Sequence, residues 1–144
     1  MGKLGHAATV RDLLVYQKAC AVADQIFACT KSFPPEEAYS LTDQIRRSSR
    51  SVGAQIAEAW AKRRYEKLFV SKLTDADAEQ HETRHWVDTA DRCNYFDAGR
   101  ADDLRRELAQ IGRMLNGMIE KAELFCAGEA SKARESAAEY FVTD

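Results

Sequence analysis

Between Ser40 and Arg64, apolar and small residues recur at alternating steps of four and three: Ile45, Ser49, Val52, Ile56 and Ala59. Steps of that size put these side chains on one side of an α-helix and make a packing seam. Arg46, Arg47, Arg50 and Arg64 fall on the outer side, separated by the small residues Ala54, Ala57 and Ala61. A helix of this kind is stable only if its seam is covered, so the rest of the chain is expected to supply partners of the same sort.

It does so in three further segments. From about residue 11 to 31, Val15, Ala19, Val22, Ile26 and Thr30 form one stripe, which Leu13, Tyr16, Cys20, Ala23 and Phe27 widen. A helix apolar over that width faces more than one neighbour. It should end before Phe33-Pro34-Pro35, because a residue that precedes proline avoids the α region. From about 66 to 92, Phe69, Leu73, Ala76, Gln80, Thr83, Val87 and Ala90 keep heptad register, and from about 102 to 126 Leu104, Leu108, Ile111, Leu115, Met118, Ala122 and Phe125 do the same. The second helix is expected over about 41–63, with Ser40-Leu41-Thr42-Asp43 as a capping box. Lys62-Arg63-Arg64-Tyr65 carries no Gly, Pro or cap, so the break between the second and third helices is weakly signalled and a continuous long helix is the alternative, whereas 94–100 is a clear turn. Gly53, inside the second helix, costs about 1 kcal/mol relative to Ala, which implies a packing or kinking reason for it. No segment alternates as a strand would. The expected fold is all-α, an antiparallel up-and-down four-helix bundle over residues 1–126, with 127–144 as a frayed or disordered tail.

The chain has 144 residues and a net charge of only −2 although 31% of its residues are charged, which argues against a globally basic nucleic-acid binder. The charge is unevenly placed. Arg46, Arg47, Arg50, Lys62, Arg63, Arg64 and Lys67 face only Glu58 and Glu66 in their stretch, while Asp75, Asp77, Glu79, Glu82, Asp88 and Asp91 are relieved only by Arg84 in theirs. Cys20, Cys29, Cys93 and Cys126 show neither a C-x-x-C nor a zinc-finger spacing, and read as reduced thiols packed as small hydrophobes. There is no apolar leader at the N-terminus, no myristoylation pattern (His6 stands where Ser or Thr is needed) and no run of membrane-spanning length. The expected location is the cytoplasm.

Two motifs bear on chemistry. His81-Glu82-Thr83-Arg84-His85 reads H-E-x-x-H, the zinc-protease pattern in which two histidines bind metal and the glutamate is general base. Asp91 stands where an extended version places a third ligand, but Asp88 occupies the position of that version's glycine turn. A zinc hydrolase is therefore the remote alternative, and a non-catalytic site from Asp77, His81, His85 and Asp88 a second one. The expectation is a non-enzyme with no cofactor and no metal. The stronger candidate is the basic group Arg46, Arg47, Arg50, Lys62, Arg63 and Arg64, extended by Lys67, since guanidinium groups bind phosphate in bidentate fashion. Trp60 and Tyr65 lie close enough in sequence to stack on unpaired bases. The competing reading has the acidic third helix neutralise these arginines, within the fold or across a subunit interface. No nucleotide-binding glycine loop or serine-nucleophile constellation occurs.

The order of Val15-Tyr16-Gln17-Lys18-Ala19, Phe33-Pro34, Tyr39-Ser40-Leu41, Gln44-Ile45-Arg46-Arg47, Ser51-Val52, Ile56-Ala57-Glu58, Glu82-Thr83 and Cys93-Asn94-Tyr95 resembles the four-helix-bundle protein family encoded in intervening sequences of bacterial 23S ribosomal RNA genes. The resemblance covers about residues 11–126. Gly53 stands where proline is common in that family, Gln55 where asparagine is usual and Ala59 where glycine is usual. The resemblance implies a ring-like homo-oligomer, a pentamer, with RNA or DNA as a suspected partner. The alternative from the residues themselves is a ring that binds a protein partner, with the arginines in subunit salt bridges.

Overall fold

The computed structural model describes residues 9–126, and among them every regular element is helical. α1 spans Leu14–Thr30, α2 Leu41–Ala61, α3 Glu66–Arg92 and α4 Arg100–Glu120. Helices adjacent in sequence pack against each other, most extensively α2 on α3, and α1 closes the bundle against α4 over the smallest interface. This is the antiparallel up-and-down four-helix bundle. The tail 127–144 lies outside the described residues.

The seams are the core. Ile26, Ile45, Ile56, Phe69, Leu73, Leu104 and Leu115 have no exposed surface. Between α2 and α3 the seam is polar in part. The Ser48 and Thr83 hydroxyls lie 2.9 Å apart, which satisfies two buried groups at once. Ser48, Ser49 and Gly53 are buried, whereas Ala54 faces solvent and does not serve helix approach within the chain. A satellite cluster of Phe33, Leu41 and Ala90, flanked by Trp86, Tyr95 and Phe96, closes the end where α1 and α3 finish.

The helix ends differ from the sequence expectations in instructive ways. The first helix is split: a 3-10 turn, Val10–Asp12, is followed by Leu13 in extended conformation and almost fully buried, and only then does α1 begin. The Ser40–Asp43 capping box does not form. Ser40 sits at φ −122° and ψ −101°, away from the β region a capping serine needs, and makes no side-chain cap bond. The 3-10 turn Pro35–Glu37 instead brings a carboxylate under the helix: Glu37 Oε1 accepts the Ser40 hydroxyl at 2.6 Å and the Leu41 amide at 3.4 Å. α2 stops at Ala61, two residues early, and is separate from α3. Arg63 Nε donates to the Trp60 carbonyl at 2.9 Å, so a side chain takes up one of the orphan carbonyls at the helix end. α4 starts after Gly99, whose φ of +83° suits glycine. It ends at Glu120, and Ala122 and Phe125 reach the core from a 3-10 turn instead, where the Phe125 ring lies 6.0 Å from that of Phe69.

Candidate functional site

The C-terminal half of α1 and the N-terminal half of α2 lie side by side. Phe27 has the spacing of the apolar stripe of α1, but it emerges at the rim of the α1–α2 contact, 36% exposed. Three cations converge on its ring: Arg46 Cζ at 4.6 Å, Lys31 Nζ at 4.9 Å and Arg50 Cζ at 5.1 Å from the centroid. Arg46 is oriented further by Thr30, whose buried hydroxyl accepts from Arg46 Nε at 2.8 Å and donates to the Phe27 carbonyl at 3.1 Å. Arg47 is exposed one residue further round α2.

Because each cation lies near the same centroid, any two of them are within about 10 Å of one another. Their mutual repulsion is therefore at least about 0.4 kcal/mol per pair in bulk water and at least about 1.7 kcal/mol at an effective dielectric constant of 20. The quadrupole of the ring returns about 0.5–1 kcal/mol per exposed cation. Among the described residues no ion pair joins a carboxylate to Lys31, Arg46, Arg47 or Arg50. Four of the acids of α3 are engaged elsewhere. Asp88 and Asp91 each hold Arg105 of α4 at 2.8 Å, Asp77 accepts from Gln80 at 2.9 Å, and Glu82 accepts the Trp86 indole N–H at 3.1 Å. Neutralisation of α2 by α3 within the chain, one of the sequence readings, is therefore not what the fold does. Glu58 pairs across that interface with Lys72, at 3.1 Å.

The basic residues named from the sequence do not make one patch. Arg46, Arg47 and Arg50 are at the start of α2; Lys62, Arg63 and Arg64 follow its end, and Arg46 and Ala61 are about 22 Å apart along the axis at 1.5 Å per residue. Arg63 is taken up structurally, with its guanidinium stacked 3.6 Å over Trp60 and its pKa pulled down by burial. Lys62 is the half-buried C-cap, and Arg64 is exposed, 5.9 Å from the Tyr65 ring centroid. Trp60 is 8% exposed, which leaves it no face for a base. Phe27 and Lys31 belong to the site and are not signalled by the sequence, since no spacing within one helix reports what crosses from the next.

The H-E-x-x-H histidines and glutamate are exposed on α3, with His81 3.7 Å from Asp77 and His85 against Trp86. Glu82 is held by that same Trp86, and Asp88 by Arg105. Among the described residues no three His, Cys, Asp or Glu side chains are placed to hold a metal ion. The described cysteines are all free, and burial pushes the Cys29 and Cys126 thiols up, away from thiolate reactivity. On the other side of α1 a groove of about 380 Å³ is lined by Cys29, Tyr95, Phe96 and Arg100 among others. No described helix is long and apolar enough to cross a membrane.

A family model described as 23S rRNA-intervening sequence protein matches residues 11–117. A solved structure with the same fold is that of a protein of unknown function from the S23 ribosomal protein family of Bacteroides thetaiotaomicron. It is 25% identical with a TM-score of 0.65, over 74% of this chain and 98% of that one. No curated protein matches the chain.

Proposed function

Because the chain belongs to the family of 23S rRNA-intervening sequence proteins, we propose that it is a non-enzymatic, self-assembling bundle that binds the phosphates of structured RNA or DNA through the start of α2. The observation that carries the reading is the convergence of Lys31, Arg46 and Arg50 on Phe27, with no carboxylate paired to any of them among the described residues. Like charges held together without a counter-charge attract an anion, and a phosphate backbone supplies anions in series and releases counterions on binding. Arg47 adds a further exposed cation on the same end. Self-assembly is supported by the exposed Tyr65 and Leu68 beside the α2–α3 turn, 58% and 45% accessible.

The test is the triple variant Lys31→Gln, Arg47→Gln and Arg50→Gln, all exposed positions, measured against a folded ribosomal RNA fragment while the mass of the assembly is recorded. The expected result is weaker binding with the fold and mass retained, and a salt dependence shallower by about 0.7–0.9 for each phosphate that is no longer neutralised. Unchanged affinity would sink the proposal. A variant that instead falls apart into smaller assemblies would assign these cations to subunit contacts, the protein-interaction reading.

A further inference from the structure

Tyr39 is 99% exposed, more than any other large apolar side chain among the described residues. The backbone on both sides of it is nonetheless tied down. Pro34 and Pro35 restrict the approach, and the Glu37 amide donates to the Pro34 carbonyl at 2.9 Å and the Ser40 amide to the Glu37 carbonyl at 3.0 Å. The Glu37 side chain accepts from Ser40 on one side and from the Tyr95 hydroxyl, at 2.9 Å, on the other. Phe33, 6% exposed, anchors the loop between Tyr95 and Phe96 with ring centroids 5.3 and 5.4 Å away. The fold thus carries an aromatic side chain on a tied-down loop, and none of the described residues covers it.

The place is specific. Tyr39 lies in the turn just before α2 begins at Leu41, and Gln44, Arg47 and Arg50 are exposed within the first three turns of that helix. Arg47 is about 9 Å along the axis from Leu41, where the helix begins, at 1.5 Å per residue. Phe27 is already covered by cations, and Tyr65 lies at the opposite end of α2 beside Arg64, so among the described residues Tyr39 is the most exposed ring at the end that carries Arg46, Arg47 and Arg50. An apolar peptide would gain nothing from the neighbouring cations, whereas a nucleotide presents a π-face for the ring and a phosphate for the arginines. In a duplex the base faces are stacked on each other and cannot reach such a ring.

We infer that Tyr39 is a stacking platform for an unpaired base, so that the preferred ligand is a single-stranded segment, a loop or an end. This rests on the phosphate-binding reading above and names its ligand class. The experiment compares a labelled single strand, as RNA and as DNA, with the corresponding blunt duplexes, by fluorescence anisotropy at fixed salt. The wild type is expected to favour both single strands. Tyr39→Ala should lower affinity for single strands about 5- to 150-fold, the range of one base–aromatic stack, and leave duplex affinity and thermal stability unchanged. Tyr39→Phe should retain wild-type affinity. If the wild type binds but Tyr39→Ala binds single strands equally well, or weakens duplex binding to the same degree, the platform is overturned and phosphate binding stands. If the wild type binds neither form, the phosphate reading itself falls, and the platform with it.

Discussion

Gly112 and Gly53 should respond in opposite directions to the same substitution. Both are buried in helix interiors, where Gly→Ala alone gains about 0.8–1.0 kcal/mol of helix propensity. At Gly53 a Cβ would meet Cys20 Sγ at 3.6 Å and Tyr16 Cε1 at 3.8 Å, both ordinary contacts. Gly53→Ala should therefore stabilise by about 1 kcal/mol, with a further fraction from the buried methyl. This differs from the expectation that packing or a kink retains Gly53, since α2 runs unbroken through it. At Gly112 the added Cβ would stand 2.8 Å from Gln80 Nε2 and 3.5 Å from Asp77 Oδ1. Gln80 is 5% exposed and its amide donates to Asp77 at 2.9 Å, so it cannot swing aside without surrendering that bond. Breaking a bond to a charged acceptor costs about 1.5–3 kcal/mol and overpacking about 1–3 kcal/mol, against about 1 kcal/mol of propensity. Gly112→Ala should therefore fail to stabilise and should cost up to about 2 kcal/mol, whichever of the two strains is met. Urea unfolding followed by far-ultraviolet circular dichroism at one protein concentration reads both. Two variants stabilised equally would refute the claim that Gln80 is held in place against Gly112.

Two further outcomes follow from the polar contacts. The phenol of Tyr95 is pushed up to about 12 by its bond to the Glu37 carboxylate, which in turn is held below the usual carboxylate range by the Ser40 and Tyr95 hydroxyls. The raised phenol favours the fold fully below about pH 10 and loses its contribution as pH climbs through about 12; the depressed carboxylate contributes above about pH 4.3 and loses it as pH falls. Glu37→Gln should bring the Tyr95 titration, followed by tyrosinate absorbance, back toward about 10; a titration left in place would show that the carboxylate does not hold the phenol. Arg105 holds Asp88, Asp91 and Asp102 with its side chain 23% accessible. Arg105→Met should cost about 1–2 kcal/mol in urea unfolding, less at 1 M salt, since three carboxylates lose a common partner in a partly screened site; unchanged stability would mean that the network is without net effect.

The buried seams were legible because a helix against a core obeys one rule, and Phe69, Leu73, Ala76, Gln80, Thr83, Val87 and Ala90 are the buried set of α3 residue for residue. What the sequence hid are choices made by contacts between elements. Ser40 and Asp43 carry the pattern of a capping box, yet Glu37 from the preceding turn reaches the helix start first. Arg63 ends α2 by capturing a carbonyl, which no composition rule announces. Phe27 has the spacing of a core residue and the surroundings of a surface one, because Arg46 and Arg50 of another helix decide its neighbours. Lys31 joins the site for the same reason, and the basic run at 62–64 leaves it because one helix length separates the two groups.

Binding of the purified protein to a folded ribosomal RNA fragment across a salt series, with the mass of the assembly recorded in each buffer, tests the central claim most directly. If the cations at the start of α2 bind phosphate, affinity falls steeply and log-linearly with salt while the mass holds constant. Absence of binding at low salt, or a binding constant indifferent to salt, would contradict it.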